Sequence, residues 1–71
     1  MGAVEFAKNL QGTNVHTINI ANNYIGNEGS VEFAKNLQCT NVHKVNLSGN
    51  QLGTKTINLL IQQYPNITWI F

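Results

Sequence analysis

The side chains able to do chemistry are few, and most come in pairs. His16 and His43 lie 27 residues apart in the same local text, Cys39 lies just upstream of His43, and Glu5, Glu28 and Glu32 are the only carboxylate side chains. Neighbouring strands lie about 4.8 Å apart, so two histidines at equivalent strand positions could approach one ligand. A closed zinc site takes about four ligands, and after His16, His43 and Cys39 the chain offers no fourth. No metal or cofactor is therefore expected, and zinc or a chelator should leave the melting temperature unchanged. Cys39 has no flanking base and reads as an inert thiol. Glu5 and Glu32 are one position written twice. No Ser, His and carboxylate set converges, and no glycine loop has phosphate-binding spacing, so no catalytic residue is assigned and no enzyme is expected.

Charge points the same way. Four lysines face three glutamates for a net +1 over 71 residues, which leaves no basic or acidic patch to attract nucleic acid or a membrane surface. The single cysteine rules out an internal disulfide and suits a reducing, cytoplasmic setting. No stretch reads as a signal peptide or a membrane span. One small domain is expected, burying only about 60% of its unfolded surface.

What must position these residues is an internal repeat. VEFAKNLQGTNVH begins at Val4, and VEFAKNLQCTNVH begins at Val31, 27 residues on. Fixed periods of this size signal stacked supersecondary units. A degraded third copy follows, in which Tyr64-Pro65-Asn66-Ile67 echoes the passage from Leu37 to Val42 with two residues removed. Val15, Ile18 and Ile20 recur as Val42, Val45 and Leu47, then as Ile67 and Ile70, with the alternation of half-buried strands. Phe6, Ala7 and Leu10 recur as Phe33, Ala34 and Leu37, then Leu60, Ile61 and Tyr64, making one apolar helical stripe. The spacing predicts helices over about 3–11, 28–38 and 54–64 and strands over 15–20, 42–47 and 67–71. Strands alternating with helices imply parallel pairing through right-handed crossovers. The units are a partial repeat (1–14), a repeat (15–41), a degraded repeat (42–66) and a terminal strand (67–71). The expected core is Val15, Ile18, Ile20, Phe33, Leu37, Val42, Val45 and Leu47.

The segment from Val15 to Leu37 resembles the ribonuclease-inhibitor-like class of leucine-rich repeats, whose pattern is LxxLxLxxNxΦGxxGxxxLaxxL, Φ being apolar. Val15, Ile18, Ile20, Asn23, Ile25, Gly26, Gly29, Phe33, Ala34 and Leu37 fill it here. Val42, Val45, Leu47, Asn50, Leu52 and Gly53 begin a second copy, which departs at Thr56, where a glycine belongs. The resemblance implies an α/β solenoid, a right-handed β-α superhelix with about three parallel strands on its concave side and three helices on its convex side. It implies a protein-interaction scaffold and no common substrate.

On that reading the residues between the inward ones line the concave face: Thr17 and Asn19, then Lys44, Asn46 and Ser48, then Trp69 and Phe71. The polar ones are either a partner-binding surface or simply solvated. The two aromatics are either binding anchors, since tryptophan is enriched at hot spots, or a cap on the sheet. Asn23 and Asn50 are expected to form a structural turn ladder, because an asparagine amide both donates and accepts. Two functions remain open: a protein-recognition module cut from a longer array, and an assembly unit that pairs with a second copy as a homodimer. The second would use Leu59, Trp69 and Phe71, because the degraded repeat turns apolar where repeat ends normally turn polar.

Overall fold

Strand and helix alternate as the two hydrophobic periods require. The computed structural model describes residues 2–71. α1 (Ala3–Lys8) leads to β1 (Thr17–Asn19), α2 (Gly26–Lys35) to β2 (Lys44–Asn46), and α3 (Thr54–Gln63) to β3 (Thr68–Ile70). The strands form one parallel sheet in the order β1-β2-β3. Parallel neighbours need a crossover, and a helix supplies each one. α1 packs on α2 and α2 on α3, so the helices stand in a row like the strands. The core lies between the rows. Ile18, Ile20, Val42, Val45 and Leu47 meet Ala3, Ala7, Leu10, Phe33, Ala34, Leu37 and Leu60 there.

Helices α1 and α2 end three residues before their expected bounds at 11 and 38. Past Lys8 and Lys35 the chain tightens: the Leu10 N–H donates to Ala7 O and the Leu37 N–H to Ala34 O, both at 3.1 Å. These bonds span three residues rather than four, a common way for a helix to finish. The exposed carbonyls are then taken up by side chains. Thr13 Oγ1 donates to Leu10 O (2.6 Å), and Thr40 Oγ1 to Leu37 O (2.7 Å). α2 begins at Gly26, two residues before the expected start, and the strands keep only three residues each. Of the expected core only Val15 stays out, at 37% exposed against 7% for its counterpart Val42. β2 has β1 beside it on that side; β1 has no such neighbour among the described residues.

The register of β3 corrects the sequence reading. Ile18 pairs with Val45, and Val45 pairs with Trp69, not Ile70. The third copy has therefore lost three residues relative to the 27-residue period, not two. A one-residue slip turns every side chain to the opposite face. Trp69 accordingly belongs to the core-side row with Ile18 and Val45, and Thr68 and Ile70 take the open face. Phe71 follows the same alternation and lines a hollow with Leu47, Leu52 and Ile57. The placement of Trp69 and Phe71 alongside Thr17 and Lys44 is thus reversed.

The physical basis of the slip is visible at the end of α3. Tyr64 occupies the place of Leu10 and Leu37, but the threonine that follows those two is gone. The Trp69 indole N–H donates to Tyr64 O instead, at 3.3 Å. Its ring meets Tyr64 edge-on (centroids 6.4 Å apart) and lies almost parallel to Phe71 (6.2 Å).

Candidate functional site

Two polar constellations lie on the sheet, and they differ in kind. The first is closed. Asn50 is 1% exposed, and both ends of its amide are used. Oδ1 accepts the N–H groups of Asn23 (2.9 Å) and Ile25 (3.1 Å), while Nδ2 donates to Ile20 O and Leu47 O, both at 2.9 Å. One side chain thereby ties two successive turns together, which makes an apolar interior tolerable to their backbone groups. Around it the Asn22 N–H reaches Ser48 O (2.8 Å) and the Gly26 N–H reaches Asn50 O (3.1 Å). Gly49 sits in the left-handed region at φ +72°, and a Cβ there would run into the Asn22 amide. Asn23 makes the within-turn half of the same pattern, from Nδ2 to Ile20 O and Ala21 O. Asn41 adds a further cross-repeat bond, from Nδ2 to Thr13 O at 2.8 Å.

The second constellation is open. Thr17, Asn19, Lys44, Asn46 and Ile70, with the backbone of Ile18, border one depression of about 300 Å³ across all three strands. Asn19 Oδ1 accepts the Ala21 N–H (3.1 Å), and Asn46 Oδ1 accepts the Ser48 N–H (2.9 Å). Such turns hold a side chain against its own backbone and fix which end faces out. Each amide oxygen is thus bonded once, and both Nδ2 groups, without a partner among the described residues, remain as donors. Lys44, exposed on β2 opposite Thr17 in the neighbouring cross-strand row, adds an ammonium with three more. Ile70 stands at the edge of the depression, 39% exposed. The arrangement can take hydrogen-bond acceptors around one apolar contact.

Thr17, Asn19, Lys44 and Asn46 are thus brought together as the sequence suggested, with Thr68 and Ile70 completing the rows in place of Trp69 and Phe71. Ser48 holds a different position: its N–H and O both serve the turn. Asn19, expected on the concave face as either a binding or a solvated residue, also closes a turn at the end of its strand. Of the three residues assigned to self-association, Leu59 and Trp69 pack against the core, and Phe71 is 37% exposed.

The histidines stack as the duplication requires, with ring centroids 5.5 Å apart. His16 Nδ1 lies 3.2 Å from Asn41 O. Cys39 is exposed, and among the described residues no three His, Cys, Asp or Glu side chains gather as a metal set would. Among the described residues no helix is long and apolar enough to cross a membrane. In comparisons with known proteins, no family model, curated protein or solved structure matches this chain.

Proposed function

We propose that this chain is a protein-recognition module of the leucine-rich-repeat kind, ribonuclease-inhibitor-like in class. Its open sheet face takes an extended segment of a protein partner that bears carbonyl or carboxylate acceptors and one apolar side chain. The observation that carries this reading is the donor set on that face. Asn19 and Asn46, paired across β1 and β2, each bond their amide oxygen to their own backbone, Lys44 stands in the adjacent cross-strand row, and Ile70 is exposed at the margin. A face made only to be solvated has no need to hold its amides in one orientation, because exposed polar groups are satisfied by water in any rotamer. Charged donors favour ionised acceptors, so an acidic segment is preferred over a neutral one. The 27-residue repeat and its turn asparagines support the family reading, and that family's scaffolds characteristically bind proteins.

A peptide-display library panned on the immobilised chain tests the proposal. The counter-selection target is a Lys44→Glu/Ile70→Asp variant, whose exposed substitutions should leave the circular dichroism spectrum unchanged. Acidic peptides carrying one large apolar residue should be enriched, and should lose at least tenfold in affinity on the variant. Binders that hold the parent and the variant equally well would place recognition elsewhere.

A further inference from the structure

At three positions, Phe6, Val15 and Asn23, the side of the molecule formed by α1 and β1 exposes the residue whose counterpart in the following repeat is buried. Phe6 is 39% exposed, whereas its counterpart Phe33 is 0% exposed and lies stacked against it, centroids 6.4 Å apart. The third member of that row, Leu60, is also 0% exposed, although no helix stands beyond α3 among the described residues. Burial in this row therefore follows the neighbour on the N-terminal side. α1 covers Phe33, α2 covers Leu60, and nothing described covers Phe6.

The strand and the turn repeat the contrast. Val15 is exposed where Val42 is buried, and Asn23 is exposed where Asn50 is buried. The polar groups agree. Asn50 Oδ1 receives two N–H groups from the preceding turn, while Asn23 Oδ1 has no donor among the described residues. Asn41 Nδ2 donates to the preceding repeat at Thr13 O, while Asn14, its counterpart, has no acceptor there.

We propose that this side is a docking face for one more unit of the same 27-residue repeat. The occupant is identified by a junction already present in the molecule. VEFAKNLQGTNVH and VEFAKNLQCTNVH differ only at Gly12 and Cys39, so the face that the second copy turns towards the first is the face that the first copy leaves open. What fits it is a strand parallel to β1 followed by an asparagine turn whose amides reach Asn23 Oδ1. A second copy offering its β3 edge brings Thr68–Ile70 without such a turn, and so fills only part of the face. The inference is independent of what the open sheet face binds.

The test is a chain extended by a duplicate of Val4–Ser30 inserted after Ser30. Both new joints keep native text, because Val31 opens the same words as Val4. The extended chain should unfold in one transition at a higher denaturant midpoint than the parent. Asn23→Ala in the parent should barely move the midpoint, whereas the same substitution in the duplicate, whose turn now has a neighbour, should lower it as far as Asn50→Ala does. An added unit that leaves the midpoint unchanged and exchanges its amides at free-peptide rates would overturn the proposal, as would an asparagine that matters equally little in both contexts. Sedimentation of the parent supplies the second arm. Dimerisation that Phe6→Glu abolishes would show that a second copy suffices, and would overturn the assignment of the occupant.

Discussion

The two junctions of the sheet solve one problem with different chemistry. Between β1 and β2 the backbone groups of successive turns are joined by Asn50, and the helix-end carbonyl is taken by a threonine hydroxyl. Between β2 and β3 the threonine is missing, and a tryptophan reaches back to cover both the carbonyl and the apolar end of the core. The first device is small, polar and repeatable, because each copy leaves the same groups for the next. The second is bulky and serves once. A unit built to stack uses amides, and a unit that closes a core uses rings.

Leu47 underlies both junctions. It is 1% exposed, and its N–H donates to Ile70 O across the second junction at 2.8 Å. Leu47→Ala should cost on the order of 2–5 kcal/mol through lost burial and the cavity left behind. A domain this size holds roughly 4–10 kcal/mol in all, so the variant should be largely unfolded at a temperature where the parent is folded. A melting curve indistinguishable from the parent's would mean that the two junctions share no core.

Asn50→Ala attacks the first junction alone. It leaves the partly buried N–H groups of Asn23 and Ile25 and the buried carbonyl of Leu47 without their partner, for a loss on the order of 1–3 kcal/mol. Asn19→Ala removes one exposed turn bond and should cost about 0.5 kcal/mol. Chemical denaturation of the pair decides the matter, and equal losses would end the case for a turn ladder.

Trp69→Phe isolates the polar half of the second device. It keeps an aromatic ring but withdraws the N–H from Tyr64 O, and should cost about 1–2 kcal/mol. Thr40→Val makes the matching deletion at the first junction, so a similar loss is expected there. If Thr40→Val is costly and Trp69→Phe is silent, the indole has not taken over the threonine's role.

Much of this was legible in the repeated text. A 27-residue period with strand and helix spacings in each copy is enough to order the elements, and seven of the eight expected core residues are buried. Asn50 could be assigned its role because a turn asparagine between stacked copies has few others available. The β3 register was not legible. Ile67, Ile70, Trp69 and Phe71 are all apolar, so either alternation satisfies a hydrophobic count, and a loss of two or three residues reads equally well. The deciding interaction, the indole bond to Tyr64 O, joins residues on either side of the shortened loop. It has no counterpart in the other copies from which to infer it. Ile70 on the open face was missed for the same reason.

A gain in stability, rather than a loss, should come from a residue that serves neither junction. Ser30 lies in the helix row between Ala3 of the first copy and Ile57 of the third, so its two counterparts are apolar. It is 0% exposed, and its Oγ has no hydrogen-bond partner among the described residues. The amides and hydroxyls of the first junction are stabilising because each is paired on burial, whereas a buried hydroxyl without a partner carries its desolvation cost unrelieved. Ser30→Ala removes that cost and replaces a middling helix former with the best one. Against this stands the loss of a single oxygen's packing. The balance should favour the variant by about 1 kcal/mol, or roughly 4–8 °C in melting temperature for a domain this small. Thermal unfolding of parent and variant reads the difference directly. A lower melting temperature for Ser30→Ala would mean that the hydroxyl is bonded after all, and polar satisfaction in this molecule would then extend beyond the turns to the helix row.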